Sequence, residues 1–311
     1  MRKIPLIFSI TFFLLCSHVY AYWIWTPQSR KWTNPKYDAK EHPKTQLEFA
    51  LGFFEEENYK KAKAEFNKLV HYYPKALEAA EAQYYIGVCW EKLGEPYEAF
   101  KDYQKVINKY PFSERINEII EKEYTIGEKL LDEGVSFWQY VSGREHPVVE
   151  IFRAVIDNAP YSDYAPASYY KIGLFLKEVN SFSEAKEEFE KITAEYPQSE
   201  WANKAQYQIA LCEYNESLRP DYDQKPTEDA TKKFEEFVKV NPDAELTKEA
   251  KNKIGHLKEK DAEHNFVIAK FYEKQKEFES AQIYYRYVIK TYPESPWADR
   301  AIERLQVIEA K

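Results

Sequence analysis

A short pattern that recurs six times along the chain constrains the fold more than any other feature. The pattern is a small residue, three further residues, an aromatic residue, seven further residues and a proline. Its copies are Ala62/Phe66/Pro74, Ala99/Tyr103/Pro111, Val148/Phe152/Pro160, Ala185/Phe189/Pro197, Ala230/Phe234/Pro242 and Ala281/Tyr285/Pro293. Residues four apart share one face of a helix, and proline ends a helix. Each copy therefore predicts one amphipathic helix that ends near its proline.

A partner helix is predicted upstream of each copy, where an apolar residue is followed by Gly or Ala. In four copies this pair lies 12 residues before the small residue, and in two copies insertions lengthen the gap. The pairs are Phe49-Ala50, Ile86-Gly87, Ile126-Gly127, Ile172-Gly173, Ile209-Ala210 and Ile268-Ala269. The spacing resembles the tetratricopeptide repeat, in which a small residue on the first helix lets the second approach closely. The predicted helix pairs are about 44–73, 78–110, 114–159, 163–196, 200–241 and 262–292.

Single repeats of this kind cannot bury their apolar faces alone, so neighbouring repeats must stack. The fold class predicted is an all-α solenoid of the tetratricopeptide type, a right-handed superhelix of about six helix pairs. A further helix is predicted over about 245–260, running into the last pair. A capping helix is predicted from Trp297 to Ile308.

The amino-terminal residues predict export. Arg2 and Lys3 precede an apolar run that is too short to span a bilayer, and cleavage is expected after Ala21. The domains predicted are a signal peptide at 1–21, an extended Trp-rich arm at 22–43, amino-terminal repeats at 44–196 and carboxy-terminal repeats with the capping helix at 197–311. In the alternative, a lipoprotein, Cys16 would be acylated, and the bulky Leu15 before it disfavours this.

Charge and cysteine usage narrow the classes of partner. The net charge is −8, and removal of Arg2 and Lys3 with the signal peptide would make it −10. Without a basic cluster to neutralise phosphates, nucleic acid is not expected as a partner. The other two cysteines, Cys89 and Cys212, occupy the same position in different repeats. Two buried free thiols are therefore favoured over a disulfide.

The sequence contains no recognisable catalytic, phosphate-binding or metal-binding motif. Its six histidines lack metal-ligand spacing, and it has neither a glycine-rich phosphate loop nor a nucleophile elbow. The repeats also occupy nearly the whole length. We expect no catalytic residues, metal or cofactor, and hence no enzyme.

One column of the aligned repeats is a candidate binding site. It lies three residues before the Gly or Ala of each first helix, and five of its six members are aromatic. With Phe54 and Tyr272, the candidate groove residues are Leu47, Phe54, Tyr84, Tyr124, Tyr170, Tyr207, Phe266 and Tyr272. Tyrosine combines apolar area with a hydroxyl, which suits capture of an extended peptide. In the equally weighted alternative, these rings pack between helices.

Two further features are candidates for partner contact. Lys92 and Lys177 lie close to the same wall and could pair with a peptide carboxylate, although isolated surface lysines usually do nothing specific. The arm carries Trp23, Trp25 and Trp32, with prolines that prevent a helix. It either binds a partner or lies on the first repeat, and the cost of exposing tryptophans slightly favours the second.

The export signal, the Trp-rich lead and repeat segments such as 82–87 and 197–202 resemble the BamD family of outer-membrane protein assembly factors over roughly 44–310. The resemblance implies a subunit of the β-barrel assembly machinery on the periplasmic side of the outer membrane. It implies that the amino-terminal repeats receive unfolded outer-membrane proteins, with Phe54, Tyr84 and Tyr124 on that side. It implies that the carboxy-terminal repeats hold the POTRA region of a BamA-like protein, near Phe266 and Tyr272.

This chain departs from the family in one respect, and one other function remains open. Members of the family are usually lipoproteins, whereas Cys16 is a poor acylation site, so docking to the barrel subunit would be the only anchor. The alternative function is another periplasmic tetratricopeptide-repeat adaptor, in cell division or in pilus and secretin coordination. Such adaptors often carry a coiled coil ahead of the repeats, and no heptad run occurs here.

Overall fold

The structure is a computed structural model that describes residues 24–26, 31–33, 38–134, 146–217 and 225–310. The predicted signal peptide, Cys16, Trp23 and most of both predicted insertions lie outside the described residues. The chain divides into two compact units, Met1–Ile116 and Asn117–Lys311. Each unit is described by itself, and the boundary predicted at 196/197 stays a prediction.

In its described residues, the first unit contains a short ribbon and four helices. Strands β1 (Ile24–Thr26) and β2 (Lys31–Thr33) pair antiparallel, with Trp25 opposite Trp32. The helices are α1 (Pro43–Glu55), α2 (Tyr59–Tyr72), α3 (Leu77–Lys92) and α4 (Pro96–Lys109). The sequence predicts an extended arm before α1, and the structure adds strand pairing to it. Trp25 and Trp32 are 51% and 66% exposed, and whether the arm lies on the first repeat or binds a partner stays a prediction.

The second unit is helical throughout its described residues. Helix α5 (Ile116–Asp132) starts at the unit boundary. The following helices are α6 (Pro147–Asn158), α7 (Tyr164–Glu178), α8 (Phe182–Glu195), α9 (Glu200–Ser217), α10 (Lys225–Val240), α11 (Thr247–Lys274), α12 (Phe278–Thr291) and α13 (Pro296–Glu309). Consecutive helices pack from α6 to α13, and α7 also contacts α9.

The predicted helix pairs and the all-α fold are confirmed for the described residues, with the ribbon as the exception. One boundary differs, because the predicted additional helix and the first helix of the last pair form a single helix, α11, of 28 residues. Between Thr247 and Lys274 the sequence has no proline, and its single glycine, Gly255, is tolerated inside the helix. The capping helix is confirmed as α13, and the Ser295 hydroxyl accepts from the Trp297 amide at its start.

Close helix packing explains the small residues in the first helices. A Cβ added at Gly173 would lie 2.5 Å from the ring of Phe189, and one added at Gly127 would lie 2.9 Å from Phe152. A Cβ at Gly87 would likewise overlap the ring of Tyr103. Since real Cβ atoms do not approach other atoms so closely, these glycines allow the aromatic ring of the second helix to rest on the first helix.

The core lies between the helices of each pair and between neighbouring pairs. The small and aromatic residues of the recurring pattern are all fully buried or nearly so, including Val148 and Phe152 in the copy that departs from Ala. Cys89 and Cys212 are free and buried, which confirms the prediction for both thiols. Burial raises the pKa of each thiol to about 12.

Candidate protein-binding surface

Each aromatic ring of the candidate column contacts the aromatic ring of the second helix in its own repeat. The ring centroids lie 5.4 to 5.8 Å apart in each of these repeats, and four of the five contacts are edge-on, whereas the Tyr84–Tyr103 contact is tilted. The pairs are Tyr84 with Tyr103, Tyr124 with Phe152, Tyr170 with Phe189, Tyr207 with Phe234 and Phe266 with Tyr285. Edge-on and tilted contacts at these distances are favourable for aromatic pairs.

Four of these five rings also contact a residue at or just before the start of the following repeat or of the capping helix. Trp201 lies 5.0 Å from Tyr170, and Trp297 lies 5.2 Å from Phe266, measured between ring centroids. In other repeats Tyr164 lies 5.1 Å from Tyr124, and the Arg115 guanidinium lies 4.8 Å from the ring of Tyr84. Each of these four rings therefore contacts both the second helix of its own repeat and a residue of the segment that follows.

Burial divides the predicted groove residues into two sets. Tyr84, Tyr207 and Phe266 are only 5%, 3% and 7% exposed. Rings this deep offer almost no surface to a partner, so the packed alternative describes these three. Tyr124 and Tyr170 are half-buried, and burial raises the pKa of both phenols.

The other three predicted residues keep part of their surface. Leu47 and Phe54 in α1 are half-buried against the core of the first repeats, where Phe54 meets Tyr85 edge-on at 5.1 Å. Tyr272 in α11 is half-buried and stacks on Tyr284 of α12 at 5.6 Å. Within the second unit, the half-buried Tyr124, Tyr170 and Tyr272 lie on three different helices, α5, α7 and α11.

The last repeat exposes apolar side chains that the sequence analysis missed. Val267 and Phe271, one turn apart on α11, are 55% and 57% exposed, and we call them the α11 pair. On α12, Ile283 and Tyr287 are 67% and 45% exposed. The ring of Phe271 lies 5.7 Å from that of Tyr272. The missed signal was an apolar i, i+4 spacing outside the repeat columns, which repeat alignment alone does not weigh.

Exposed pairs of this kind differ from single exposed apolar residues, which are ordinary on protein surfaces. Paired apolar residues on one helix face are typical of surfaces that bind another protein. Tyr272 adds an amphipathic ring next to the α11 pair. This part of α11 can supply apolar contact area and a phenolic hydroxyl to a partner.

Two features are absent from the described residues. No group of three or more His, Cys, Asp or Glu side chains there is arranged to hold a metal ion. No helix there is both long and apolar enough to cross a membrane.

Comparison with known families gives two matches. Residues 213–311 match the outer membrane lipoprotein family YfiO, and residues 81–113 and 167–199 match the tetratricopeptide repeat. The first match includes α10 to α13 and therefore the α11 pair. The second covers α3 with α4 and α7 with α8, which are two of the predicted repeats. The repeat type predicted from the spacing is confirmed there.

The individual proteins that this chain resembles share 25% sequence identity with it or less. The outer membrane protein assembly factor BamD of Caulobacter vibrioides is 25% identical over 163 residues, which are 52% of this chain and 53% of that protein. The chain thus spans about half the length of this curated relative. A tetratricopeptide-repeat protein of Cytophaga hutchinsonii is 17% identical, covers 84% of this chain and 87% of its own, and has a TM-score of 0.38. PilF of Pseudomonas aeruginosa is 15% identical, covers 86% and 96%, and has a TM-score of 0.31.

At those TM-scores, neither solved structure bears on function. The family match and the curated relative both agree with the resemblance seen in the sequence. The chain is a repeat scaffold of the protein-binding kind, and it resembles the BamD family of outer membrane protein assembly factors.

Proposed function

We propose that the protein is a non-enzymatic, BamD-like subunit of the machinery that assembles β-barrels in the outer membrane. It works on the periplasmic side, where it holds the POTRA region of a BamA-like barrel protein and receives unfolded outer-membrane proteins. Export by the predicted signal peptide would bring it there. With Cys16 disfavoured as a lipid anchor, its attachment to the membrane would depend on the barrel subunit.

One observation supports the proposal most directly. The stretch that matches the outer membrane lipoprotein family, 213–311, is also the stretch that exposes the α11 pair beside Tyr272. Because folding leaves Val267 and Phe271 largely in water, their apolar character is better explained by a partner that covers them. A folded POTRA domain supplies the kind of preformed protein surface that such a pair fits.

The amino-terminal repeats are assigned to unfolded substrates. Phe49 in α1 is exposed, its ring meets Phe53 at 5.0 Å, and the Lys40 ammonium lies 4.0 Å from its centroid. Phe54, predicted on this side, is half-buried. Tyr84 is too deeply buried to contribute, so we assign substrate contact to Phe49 and Phe54. Aromatic rings of this kind can hold the apolar side chains of an unfolded chain without requiring one sequence.

Photocrosslinking in intact envelopes tests both assignments. A photoreactive residue replaces Phe271 in one variant and Phe49 in another, and captured proteins are identified by mass spectrometry. Exposed Lys251, near the start of the same helix α11, provides the matched control position. We expect capture of a POTRA-bearing barrel protein at position 271, of unfolded barrel proteins at 49, and of neither at 251. Capture of only cell-division, pilus or secretin proteins would contradict the proposal and support the alternative adaptor function.

A further inference from the structure

Two large apolar side chains at one end of the α3–α4 helix pair lie almost entirely in water. Leu77, the first residue of α3, is 92% exposed, and Phe112, just after the end of α4, is 98% exposed. The two helices pack together and are joined only by residues 93–95, so the start of α3 and the end of α4 lie at the same end of the pair. An ion pair of 2.8 Å between Arg115 and Glu81 ties the segment after Phe112 to α3, one turn beyond Leu77. We call Leu77 and Phe112 the turn pair.

The fold does not require an aromatic residue at the position of Phe112. This position directly follows the proline of the recurring pattern, and its side chain is exposed in every repeat. The equivalent residues are Lys75, Tyr161, Gln198, Asp243 and Glu294. Because basic, amide and acidic side chains occupy the same turn, the turn itself does not select for aromatic character. Phe112 is therefore better explained by something outside the chain that covers it.

Exposed lysines accompany both members of the turn pair. Lys75 precedes Leu77 by two residues, and Lys109 precedes Phe112 by three, and both are exposed. Acidic Glu78 and Glu114 are also near, but they stand at the starts of α3 and α5, where the helix dipole favours acidic groups. The lysines have no such role in the fold. This end of the helix pair thus combines apolar side chains with cations in a chain whose net charge is −8.

The interface of a lipid bilayer fits this combination better than a folded protein does. Leu77 and Phe112 project from turns and not from one helix face, so a rigid partner would need a separate hollow for each side chain. A bilayer interface is fluid and accepts projecting apolar side chains at any spacing. Lysine ammonium groups next to them can remain in water and attract anionic headgroups.

We propose that the turn pair inserts into the interface of an anionic lipid surface, with Lys75 and Lys109 facing the phosphates of the headgroups. This inference goes beyond the proposed function and does not depend on it. Beside docking to a barrel subunit, the repeats would have a contact of their own with lipid. That contact needs neither an acyl chain nor a helix that crosses the membrane.

Vesicle flotation tests the inference with the processed protein, after its intact mass has shown that the signal peptide and any acyl chain are absent. The vesicles contain phosphatidylethanolamine with the anionic phosphatidylglycerol, and neutral phosphatidylcholine vesicles are the comparison. The test variant is Leu77→Ser/Phe112→Ser. The matched control is Val240→Ser/Ile283→Ser, because Val240 and Ile283 are apolar residues of other helices that are 64% and 67% exposed.

We expect the wild type to bind the anionic vesicles more tightly than the neutral ones. Leu77→Ser/Phe112→Ser should weaken binding to the anionic vesicles at least about tenfold, because two apolar side chains no longer leave water. The control variant should bind as the wild type does. Unfolding midpoints should be unchanged in both variants, since the substituted side chains are exposed.

A fluorescent probe reads the insertion directly at one residue. Phe112→Cys and, as the control at the equivalent turn position, Asp243→Cys are labelled with a polarity-sensitive fluorophore. Cys89 and Cys212 are buried and should remain unlabelled. With anionic vesicles we expect a blue shift of the emission at position 112 and none at position 243. A photoreactive residue at position 112 in intact envelopes should be crosslinked to phospholipid.

Several results would overturn the inference. They are no binding of the wild type to anionic vesicles, equal binding of the wild type and Leu77→Ser/Phe112→Ser, and a blue shift that is absent at position 112 or equal at position 243. Crosslinking of position 112 to a second copy of the chain or to another protein, without phospholipid, would overturn it as well. The vesicles contain no barrel subunit, so none of these results decides what is captured at Phe271 or Phe49.

Discussion

Two repeats pack equivalent residues in the same way. One is formed by α3 and α4, and the other is the last repeat, formed by α11 and α12. Tyr103 and Tyr285 are fully buried, and each donates its hydroxyl to a glutamate of the first helix, Glu91 or Glu273. Beyond these shared contacts the two repeats differ. The last repeat exposes the α11 pair together with Ile283 and Tyr287, whereas Leu77 at the very start of α3 is the large apolar residue that the earlier repeat exposes within its helices.

The comparison separates residues that specify the fold from residues available for binding. The small and aromatic residues of the recurring pattern are buried and account for stability, because burying a large aromatic side chain contributes about 1.5–3 kcal/mol. Apolar residues that do not recur and remain in water contribute little to folding. Mutations in the first group should therefore lower stability, and mutations in the second group should weaken binding.

The largest expected effect comes from truncating a buried ring of the column. Phe266→Ala should lower the free energy of unfolding by about 3–5 kcal/mol, because it leaves a cavity between Tyr285 and Trp297. Phe271→Ala, five residues along the same helix, should change it by less than about 0.5 kcal/mol. Urea unfolding followed by circular dichroism measures both. Similar losses of unfolding free energy in the two variants would contradict the distinction between fold-specifying and exposed residues.

A smaller loss is expected where the helices approach most closely. Gly87→Ala places a methyl group against the ring of Tyr103 and should cost about 1–3 kcal/mol through overpacking. Gly52→Ala in α1, where nothing lies within 4 Å of the added Cβ, should instead stabilise the protein by about 0.5–1 kcal/mol. Opposite changes in the unfolding midpoint of the two variants would support the close approach of the helices at Gly87. A Gly87→Ala variant that is more stable than the wild type would contradict it.

The two buried thiols predict a loss of stability at alkaline pH. In the folded protein the pKa of Cys89 and of Cys212 is raised to about 12, whereas an unfolded thiol has a pKa of about 8.5. The unfolded chain therefore releases protons first, and stability is complete below about pH 8.5 and falls as the pH rises towards 12. Unfolding midpoints measured from pH 7 to 11 check this. A Cys89→Ala/Cys212→Ala double variant should show a shallower fall, and an unchanged slope would contradict the assignment to the thiols.

The smallest effect is expected at an exposed ion pair of the capping region. Arg286 and Glu309 meet at 2.9 Å with both side chains largely in water. Glu309→Gln should change the free energy of unfolding by less than about 0.5 kcal/mol, since solvent and salt screen such pairs. Glu188→Gln provides the contrast, because Glu188 is buried and meets Arg153 at 2.5 Å and Lys191 at 2.9 Å. A loss at Glu309 as large as that at Glu188 would contradict the account.

The helix pairs were predictable because the spacing between Gly87, Ala99, Tyr103 and Pro111 recurs with little variation. Whether Tyr84 faces a groove or a neighbouring helix was not, because the covering residue, Arg115, comes from the following segment, and no periodicity reveals how closely it approaches. The α11 pair was missed for a related reason. Val267 and Phe271 have the same apolar character as core residues, and only three-dimensional packing distinguishes the two.

The same limit applies to Lys177. Its position near the repeat wall followed from the alignment, whereas its hydrogen bond to the Gln208 side-chain oxygen depends on how α7 and α9 pack. Sequence alone predicts an ordinary solvated lysine at both positions 92 and 177. The structure separates them, because Lys92 is exposed and Lys177 is half-buried.

Binding between the purified full chain and the soluble POTRA region of the barrel subunit from the same bacterium tests the central claim most directly. The wild-type chain is compared with Val267→Glu/Phe271→Glu, and Lys251→Glu serves as the control on the same helix. The account predicts binding that is weakened at least about tenfold in the double variant, as for loss of a buried apolar contact, with an unchanged unfolding midpoint and an unaffected control. Equal binding by the wild type and the double variant, or no binding by the wild type, would contradict it.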